Sequence, residues 1–173
     1  MSKRETPMIL AYWKRVGGTL IEEFQMVRGD PVCGPRRADA VIVLGGKRRR
    51  VPRGERATMS IEGKDVIVVQ AKRGRLGMYL MGQAVFSAEL IKRFKKPKSL
   101  KSVILCEKDD AVLRPLLAPF ANVEVVPLPP PHMGCGVPHA HADIIHLTGR
   151  KKPRPPSLRK SDARKRGFGS RGV

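Results

Sequence analysis

The chain has 173 residues, and its 35 Lys and Arg residues against 15 Asp and Glu residues give a formal charge of +20. A chain of this length holds about one domain, and the excess of positive charge predicts a polyanionic partner, DNA first and RNA as an alternative. The sequence contains no long apolar span and no secretory signal pattern, which argues against membrane association and predicts a cytoplasmic, nucleoid-associated protein.

The first elements in chain order are a predicted helix and two predicted strands. Apolar residues, among them Leu20 and Phe24, recur at helical spacing, which predicts an amphipathic helix over residues 19–29. The β-branched run 38–44 ends at two glycines and predicts a strand, and the run 65–72 predicts a second one. The second run is apolar almost throughout, as in a central strand that is covered on both faces.

Four more elements follow. Residues 77–95 contain no proline and are apolar around nearly the whole circumference, which predicts a buried helix. A strand over 103–106, a proline-interrupted helix over 111–120 and a strand over 123–126 come next. The order α-β-β-α-β-α-β predicts one α/β domain over residues 1–128, with a central mixed sheet flanked by helices.

The rest of the chain is too polar to hold a core. Residues 129–146 predict a Pro- and His-rich extension, and residues 147–173 predict a disordered basic tail. Histidine and cysteine residues cluster here at spacings that match no standard zinc motif, so whether they bind zinc stays open. The cluster comprises His132, Cys135, His139, His141 and His146.

Polar side chains near the ends of the two long predicted strands are of the types that enzymes use for phosphodiester hydrolysis. This reaction uses divalent cations such as Mg²⁺ or Mn²⁺, held by hard oxygen donors. Asp39 lies near the start of one strand, and Gln70 and Lys72 lie near the end of the other, on one face because the strand period is two. A lysine there can orient or activate the attacking water. By spacing alone, these could also be ordinary polar residues that face water.

The same residues resemble the split motif of the PD-(D/E)XK nuclease superfamily. Residues 36–39 (Arg-Arg-Ala-Asp) and 69–72 (Val-Gln-Ala-Lys) stand where that motif has its Asp and its acidic-X-Lys. The order helix, strand with Asp, strand with the second ligand and Lys, then helix is also that of the superfamily core. The resemblance implies a restriction-endonuclease-like domain, with Asp39 and Gln70 as metal ligands and Lys72 as the catalytic lysine.

Two positions depart from the usual motif. Gln70 replaces the acidic residue and offers one neutral oxygen to a hard cation, which is similar to the Mrr-type restriction nucleases. Ala38 replaces a proline that shapes the backbone and binds no metal. Neither departure implies an inactive enzyme.

The resemblance also implies a metal-binding glutamate on the first helix, where two residues qualify. A helical projection places Glu23 at the edge of the apolar face and Glu22 almost opposite, which favours Glu23. Gly18, four residues before Glu22, is similar to the pattern of archaeal Holliday-junction resolvases and favours Glu22. The choice stays open, with Glu23 preferred. Gln83, on the helix after the lysine strand, is similar to a glutamine of RecB-like members and is assigned to the site or to a phosphate contact.

Basic runs at residues 47–56, 92–96 and from 150 onward favour contact with nucleic-acid phosphates. Aromatic residues make up only 5% of the chain, so contact with the backbone of duplex or branched DNA is favoured over stacking on a single strand. The predicted nucleic-acid contacts are Lys47, Arg48, Arg49, Arg50, Arg53, Arg73, Arg75 and Gln83.

These residues predict a Mg²⁺- or Mn²⁺-dependent DNA endonuclease of restriction, repair or resolvase type, with Glu23, Asp39 and Gln70 as metal ligands. Many members of the superfamily are homodimers, which the resemblance implies here too. The alternative is a noncatalytic DNA- or RNA-binding protein that keeps the nuclease-like fold within a larger nucleoprotein assembly. The neutral Gln70 and the large positive charge favour this alternative.

Overall fold

Two helices and six strands form the framework of residues 5–129, the part of the chain that the computed structural model describes. In chain order they are α1 (Thr6–Val16), β1 (Thr19–Val27), β2 (Arg36–Val43), β3 (Arg49–Arg50), β4 (Asp65–Ala71), α2 (Met78–Lys95), β5 (Ser99–Cys106) and β6 (Val123–Pro127). Two short 3-10 helices cover Arg53–Thr58 and Arg114–Leu117. The predicted tail, and the predicted extension beyond residue 129 with its histidine and cysteine cluster, lie outside the described residues.

The six strands form one mixed sheet in the order β3-β1-β2-β4-β5-β6. β2 pairs antiparallel with both β1 and β4, whereas β5 pairs parallel with both β4 and β6. The short strand β3 pairs parallel with β1 at one edge. α2 forms the crossover that the parallel pair β4 and β5 requires. This sheet confirms the predicted α/β class with a central mixed sheet.

Each face of the sheet is covered by one of the two helices. Val69 of β4 belongs to the core cluster that contains Ile9 of α1, whereas its neighbour Val68 belongs to the cluster that contains Ile91 of α2. This alternation explains why β4 is apolar almost throughout, since both of its faces are buried. No helix within residues 5–129 carries an apolar stretch long enough to cross a bilayer.

Residues 19–27 form a strand, so the predicted helix over 19–29 is wrong. Glu23 has a positive φ of 51°, and beyond it the side chains of β1 change faces. Ile21 and Phe24 therefore pack in the same core cluster although they are three residues apart. This spacing imitates helical periodicity. The observed order is α-β-β-β-β-α-β-β instead of α-β-β-α-β-α-β.

The first helix is α1, at a position where the sequence interpretation assigned none. Pro7 lies in its first turn, where the missing amide hydrogen costs no helical hydrogen bond, and Ile9 and Tyr12 are buried on one face. The chain then turns sharply into β1 through two glycines with positive φ. A Cβ atom on Gly18 would lie 2.3 Å from the carbonyl oxygen of Val43, so only glycine fits there.

α2 has one buried face, so the predicted burial around its whole circumference is wrong. Its buried residues are Leu80, Met81, Ala84, Ser87, Ala88 and Ile91. Its outer face carries the exposed side chains of Met78, Tyr79, Phe86 and Phe94.

Residues 111–120 form turns and a 3-10 helix, so the predicted helix there is also wrong. Asp110 accepts hydrogen bonds from the backbone amides of Val112 and Leu113 and shapes the first turn. Pro115 lacks the amide donor that a continuing α-helix needs. The apolar side chain of Leu117 still reaches the core on the α2 side.

Candidate functional site

Three neighbouring strands present predicted site residues at the same level. In the β1–β2 register, Glu22 pairs with Ala40 and Phe24 pairs with Ala38, which places Glu23 opposite Asp39. In the β2–β4 register, the last pair is Ala40 with Val69, and one further step places Asp39 level with Gln70. The sheet therefore aligns Glu23, Asp39 and Gln70 in one row across β1, β2 and β4.

Asp39 is largely buried, and its carboxylate is bonded to the strand beside it. Its Oδ2 accepts a hydrogen bond of 2.8 Å from the backbone amide of Ala71. Ala71 lies between Gln70 and Lys72 in the chain. The Asp39 carboxylate therefore contacts the backbone between these two predicted site residues. Burial raises the pKa of Asp39, and the charges of Glu5 and Glu23 act in the same direction. Asp39 is thus a carboxylate whose charged form the fold disfavours.

Gln70 and Lys72 direct their side chains toward α2, as the strand period of two predicts. Gln70 is buried, and its Nε2 donates a hydrogen bond of 2.7 Å to Oγ of Ser87 on α2. This bond occupies the amide nitrogen and leaves Oε1 as the hard donor that Gln70 can offer to a cation. Lys72 is exposed, and its Nζ lies 5.1 Å from the centroid of the Tyr79 ring.

The structure separates the roles of Glu22 and Glu23. Glu22 is buried and accepts hydrogen bonds of 2.7 and 2.9 Å from Arg50 and of 2.7 Å from Arg56. Glu23 keeps 29% of its side chain exposed and lies 3.4 Å from Arg56. The helical projection that favoured Glu23 is invalid because both residues are on a strand. Glu23 nevertheless stays the predicted ligand, since both carboxylate oxygens of Glu22 are already bonded to arginines.

Glu5 is a site residue that the sequence interpretation missed. It precedes α1, and its charge contributes to the raised pKa of Asp39. The available signal was the Glu-Thr-Pro sequence of residues 5–7 ahead of Ile9 and Tyr12, whose spacing indicates a helix that starts near Thr6.

The oxygen donors at this end of the sheet suit a hard cation such as Mg²⁺. The carboxylates of Asp39 and Glu23 and the amide oxygen of Gln70 are of the preferred type, and a Mg²⁺ ion commonly uses one or two carboxylates together with substrate phosphates. Within residues 5–129, no group of three or more His, Cys, Asp or Glu side chains is arranged to hold a metal ion. Binding would therefore have to include Gln70 or oxygen atoms of the substrate.

The basic run at residues 47–56 extends along the β1 edge, and only part of it reaches this row. Side-chain hydrogen bonding, the largest cause, lowers the pKa of Glu23, and the charges of Arg56 and Arg53 act in the same direction. Arg50 forms an ion pair with Glu22, and Arg49 forms one with Glu55 at 3.4 Å.

Lys47 and Arg48 lie at the opposite end of the sheet. The Lys47 carbonyl accepts a hydrogen bond from Thr19, and Arg48 packs over Trp13. The four residue-to-residue steps from Thr19 to Glu23 span roughly 13 Å at the usual rise of a strand. A cavity of about 340 Å³ also lies at this end and contains none of the predicted catalytic residues. Its lining includes Thr19, Val43, Gly46, Met59 and Asp65.

The remaining predicted nucleic-acid contacts lie beside Lys72. Arg73 pairs with Glu107, and Arg75 lies 3.9 Å from Asp110. The side chain of Arg73 is 50% exposed to solvent, and that of Arg75 is 62% exposed. Gln83 is not buried as expected; its amide donates a hydrogen bond of 3.2 Å to the Tyr79 hydroxyl near the protein surface.

Comparison of the chain with protein-family models, with curated proteins and with solved structures found no match. Function is therefore inferred from the residues and from their placement in the fold.

Proposed function

We propose that this protein is a divalent-metal-dependent DNA endonuclease of the PD-(D/E)XK type. The observation that carries the proposal is the environment of Asp39. The charged form of this partly buried carboxylate is disfavoured by burial and by the charges of Glu5 and Glu23, and a bound cation would offset that cost. Such perturbed carboxylates occur more often at functional sites than elsewhere.

The arrangement of elements around this row supports the same class. α1 precedes four strands, of which β2 carries Asp39 and β4 carries Gln70, Lys72 comes directly after β4, and α2 follows. This is the order helix, Asp strand, Lys strand, helix of the superfamily core. The restriction-endonuclease-like identity of the fold is part of the proposal.

Each residue of the row has a distinct task in the proposed reaction. Asp39, Glu23 and the Gln70 amide oxygen hold the cation together with oxygen atoms of the substrate. The cation, when bound, supplies Lewis-acid chemistry that stabilises charge on the phosphate and lowers the pKa of water. Lys72 orients the attacking water and offsets negative charge on the phosphoryl oxygens. Hydrolysis forms a bond from the water oxygen to phosphorus and breaks the bond to the leaving oxygen, which ends as a hydroxyl after taking up a proton.

The test is cleavage of labelled duplex, junction and single-stranded DNA with Mg²⁺ or Mn²⁺. The wild type is expected to cut at least one substrate, and Lys72→Ala is expected to reduce the rate by about 100-fold or more, as for other residues that assist proton transfer. Lys98→Ala is the matched control, since Lys98 is an exposed lysine at the start of β5 and is expected to leave the rate unchanged. Equal effects of the two substitutions would contradict the role of Lys72.

A noncatalytic nucleic-acid-binding protein is the second candidate. The observation that favours it is the lack of a three-residue group of His, Cys, Asp or Glu arranged for a metal ion within residues 5–129. If the wild type binds DNA or RNA but cuts neither with any divalent cation, this second function replaces the first.

Both functions require phosphate contacts, and Arg53 is the contact expected nearest to the row. Arg53→Gln is expected to flatten the slope of log affinity against log salt concentration by about 0.9, since one fewer counterion is released from duplex DNA. Fluorescence anisotropy at several salt concentrations measures this slope. Lys98→Gln is the control, and an unchanged slope for Arg53→Gln would remove Arg53 from the interface.

A further inference from the structure

Tyr79 is an exposed aromatic residue that is held beside Lys72. It lies in the first turn of α2, and 69% of it is accessible to solvent. Its hydroxyl accepts the hydrogen bond of 3.2 Å from Gln83, one turn further along the helix. Its ring lies 5.1 Å from Nζ of Lys72, within the range of a cation–π contact.

These contacts orient the ring while leaving much of it open. Arg73 and Arg75 follow within three residues of Lys72 in the chain and add exposed positive charge next to this lysine. An aromatic ring in a basic surface can stack on a nucleobase, because every base has a π-face and the phosphates are held by the cations around it. In a continuous duplex the faces of the bases are covered by their neighbours, so only an unpaired base can stack on a protein side chain.

We propose that Tyr79 stacks on an unpaired base next to the phosphate that Lys72 contacts. The protein then prefers DNA with an unpaired nucleotide at the point of contact, such as a mismatch bubble or a fork, over continuous duplex. The inference rests on the proposed placement of the scissile phosphate at Lys72. It changes the expectation of backbone contact alone, because the fold brings the ring of Tyr79 beside the candidate lysine.

The test is binding in EDTA of a fully paired duplex and of the same duplex with a short bubble that contains 2-aminopurine. The wild type is expected to bind the bubble about tenfold more tightly, in the range of one stacked base, and to quench the 2-aminopurine fluorescence. Tyr79→Ala is expected to lose both the preference and the quenching, whereas Tyr79→Phe and Tyr79→Trp retain most of both. Phe86→Ala is the matched control, since Phe86 is an aromatic residue of α2 with the same 69% exposure and lies outside the basic runs.

A bubble with an abasic nucleotide in place of the 2-aminopurine completes the design. The wild type is expected to bind this abasic bubble about tenfold more weakly than the 2-aminopurine bubble. Tyr79→Ala is expected to bind the abasic bubble as well as the wild type does. Equal binding of bubble and duplex by the wild type, or equal effects of Tyr79→Ala on both, would overturn the inference.

Because the assay uses no divalent cation, its result is separate from that of the cleavage assay. Stacking without cleavage would retain the role of Tyr79 and reject the nuclease. Lys72-dependent cleavage with no effect of Tyr79→Ala on binding would retain the nuclease and reject the stacking. A protein that binds none of these DNAs would reject both.

Discussion

Asp39→Asn is expected to abolish cleavage and at the same time to stabilise the folded protein. Asparagine has the shape of aspartate, and its Oδ1 can still accept the hydrogen bond from the Ala71 amide. The substitution removes only the charge. The expected loss of rate is more than about 100-fold, since even residues that merely support a metal ligand contribute 10- to 100-fold.

The gain in stability follows from the direction of the pKa shift. Burial raises the pKa of Asp39, so the folded protein binds this proton more tightly than the unfolded chain does. The contribution of Asp39 favours folding below its pKa in the unfolded chain and is lost as the pH rises through the raised value. At neutral pH the charged Asp39 therefore opposes folding, and the neutral asparagine does not.

Urea denaturation at neutral pH and at acidic pH measures this effect. The free energy of unfolding of Asp39→Asn should exceed that of the wild type at neutral pH, and the difference should shrink as the pH falls. Added Mg²⁺ or Mn²⁺ should raise the thermal midpoint of the wild type and not that of the variant, because only a native state that binds the ion is stabilised by it.

Asp65→Asn is the matched control, since Asp65 is a partly exposed aspartate at the other end of β4. It should change neither cleavage nor the response to the metal ion. A variant at Asp39 that cuts DNA at the wild-type rate would exclude Asp39 from the site.

The sequence predicts the strands better than the helices, for a physical reason. β2, β4, β5 and β6 are runs of β-branched and other apolar residues between turn residues, and their pattern has no competing explanation. In β1 the side chains switch to the other face of the sheet at Glu23. The apolar residues on either side of Glu23 are therefore spaced as they would be in a helix. α1 is short, and its burial depends on Val69 and Leu105, contacts that are distant in the chain.

The site was predictable where its residues share one strand. Gln70 near the end of β4 and Lys72 just beyond it lie two residues apart, so the strand period of two correctly predicts that both side chains face α2. Glu5 and Ser87 reach the row from the two helices, and their positions depend on the packing of the whole domain. The role of Tyr79 could not be read from the sequence either, because an exposed aromatic residue on a helix gives no signal until its neighbours are known.

Glu22→Gln is expected to cause the largest loss of stability among single substitutions near the site. Glu22 keeps 2% of its side chain exposed, and it bonds Arg50 and Arg56 together. The substitution removes the negative charge and leaves one acceptor oxygen for two arginines, so Arg56, which is mostly buried, keeps an ion pair only through the longer contact to Glu23. Removing one partner of a buried ion pair costs about 3–5 kcal/mol, and about 3 kcal/mol is expected here because Arg50 is half exposed.

A loss of that size lowers the thermal midpoint of a domain this large by roughly 10 °C. The same ion pairs connect β1 to β3 and to the 3-10 helix Arg53–Thr58, which carry part of the basic run. Loosening them should speed hydrogen exchange of the backbone amides in residues 49–58 before it affects β4. DNA affinity should fall as well, since the phosphate contacts of this segment are no longer held in one arrangement.

Glu55→Gln separates the buried network from ordinary surface charge. Glu55 pairs with Arg49 at 3.4 Å, and about half of each side chain is exposed. Such a pair contributes about 1 kcal/mol or less. Urea denaturation of both variants gives the comparison, with a loss for Glu22→Gln several times that for Glu55→Gln as the expected result. Equal losses would mean that Glu22 does not anchor the basic segment, and the buried carboxylate would then be free for a role in the row formed by Glu23, Asp39 and Gln70.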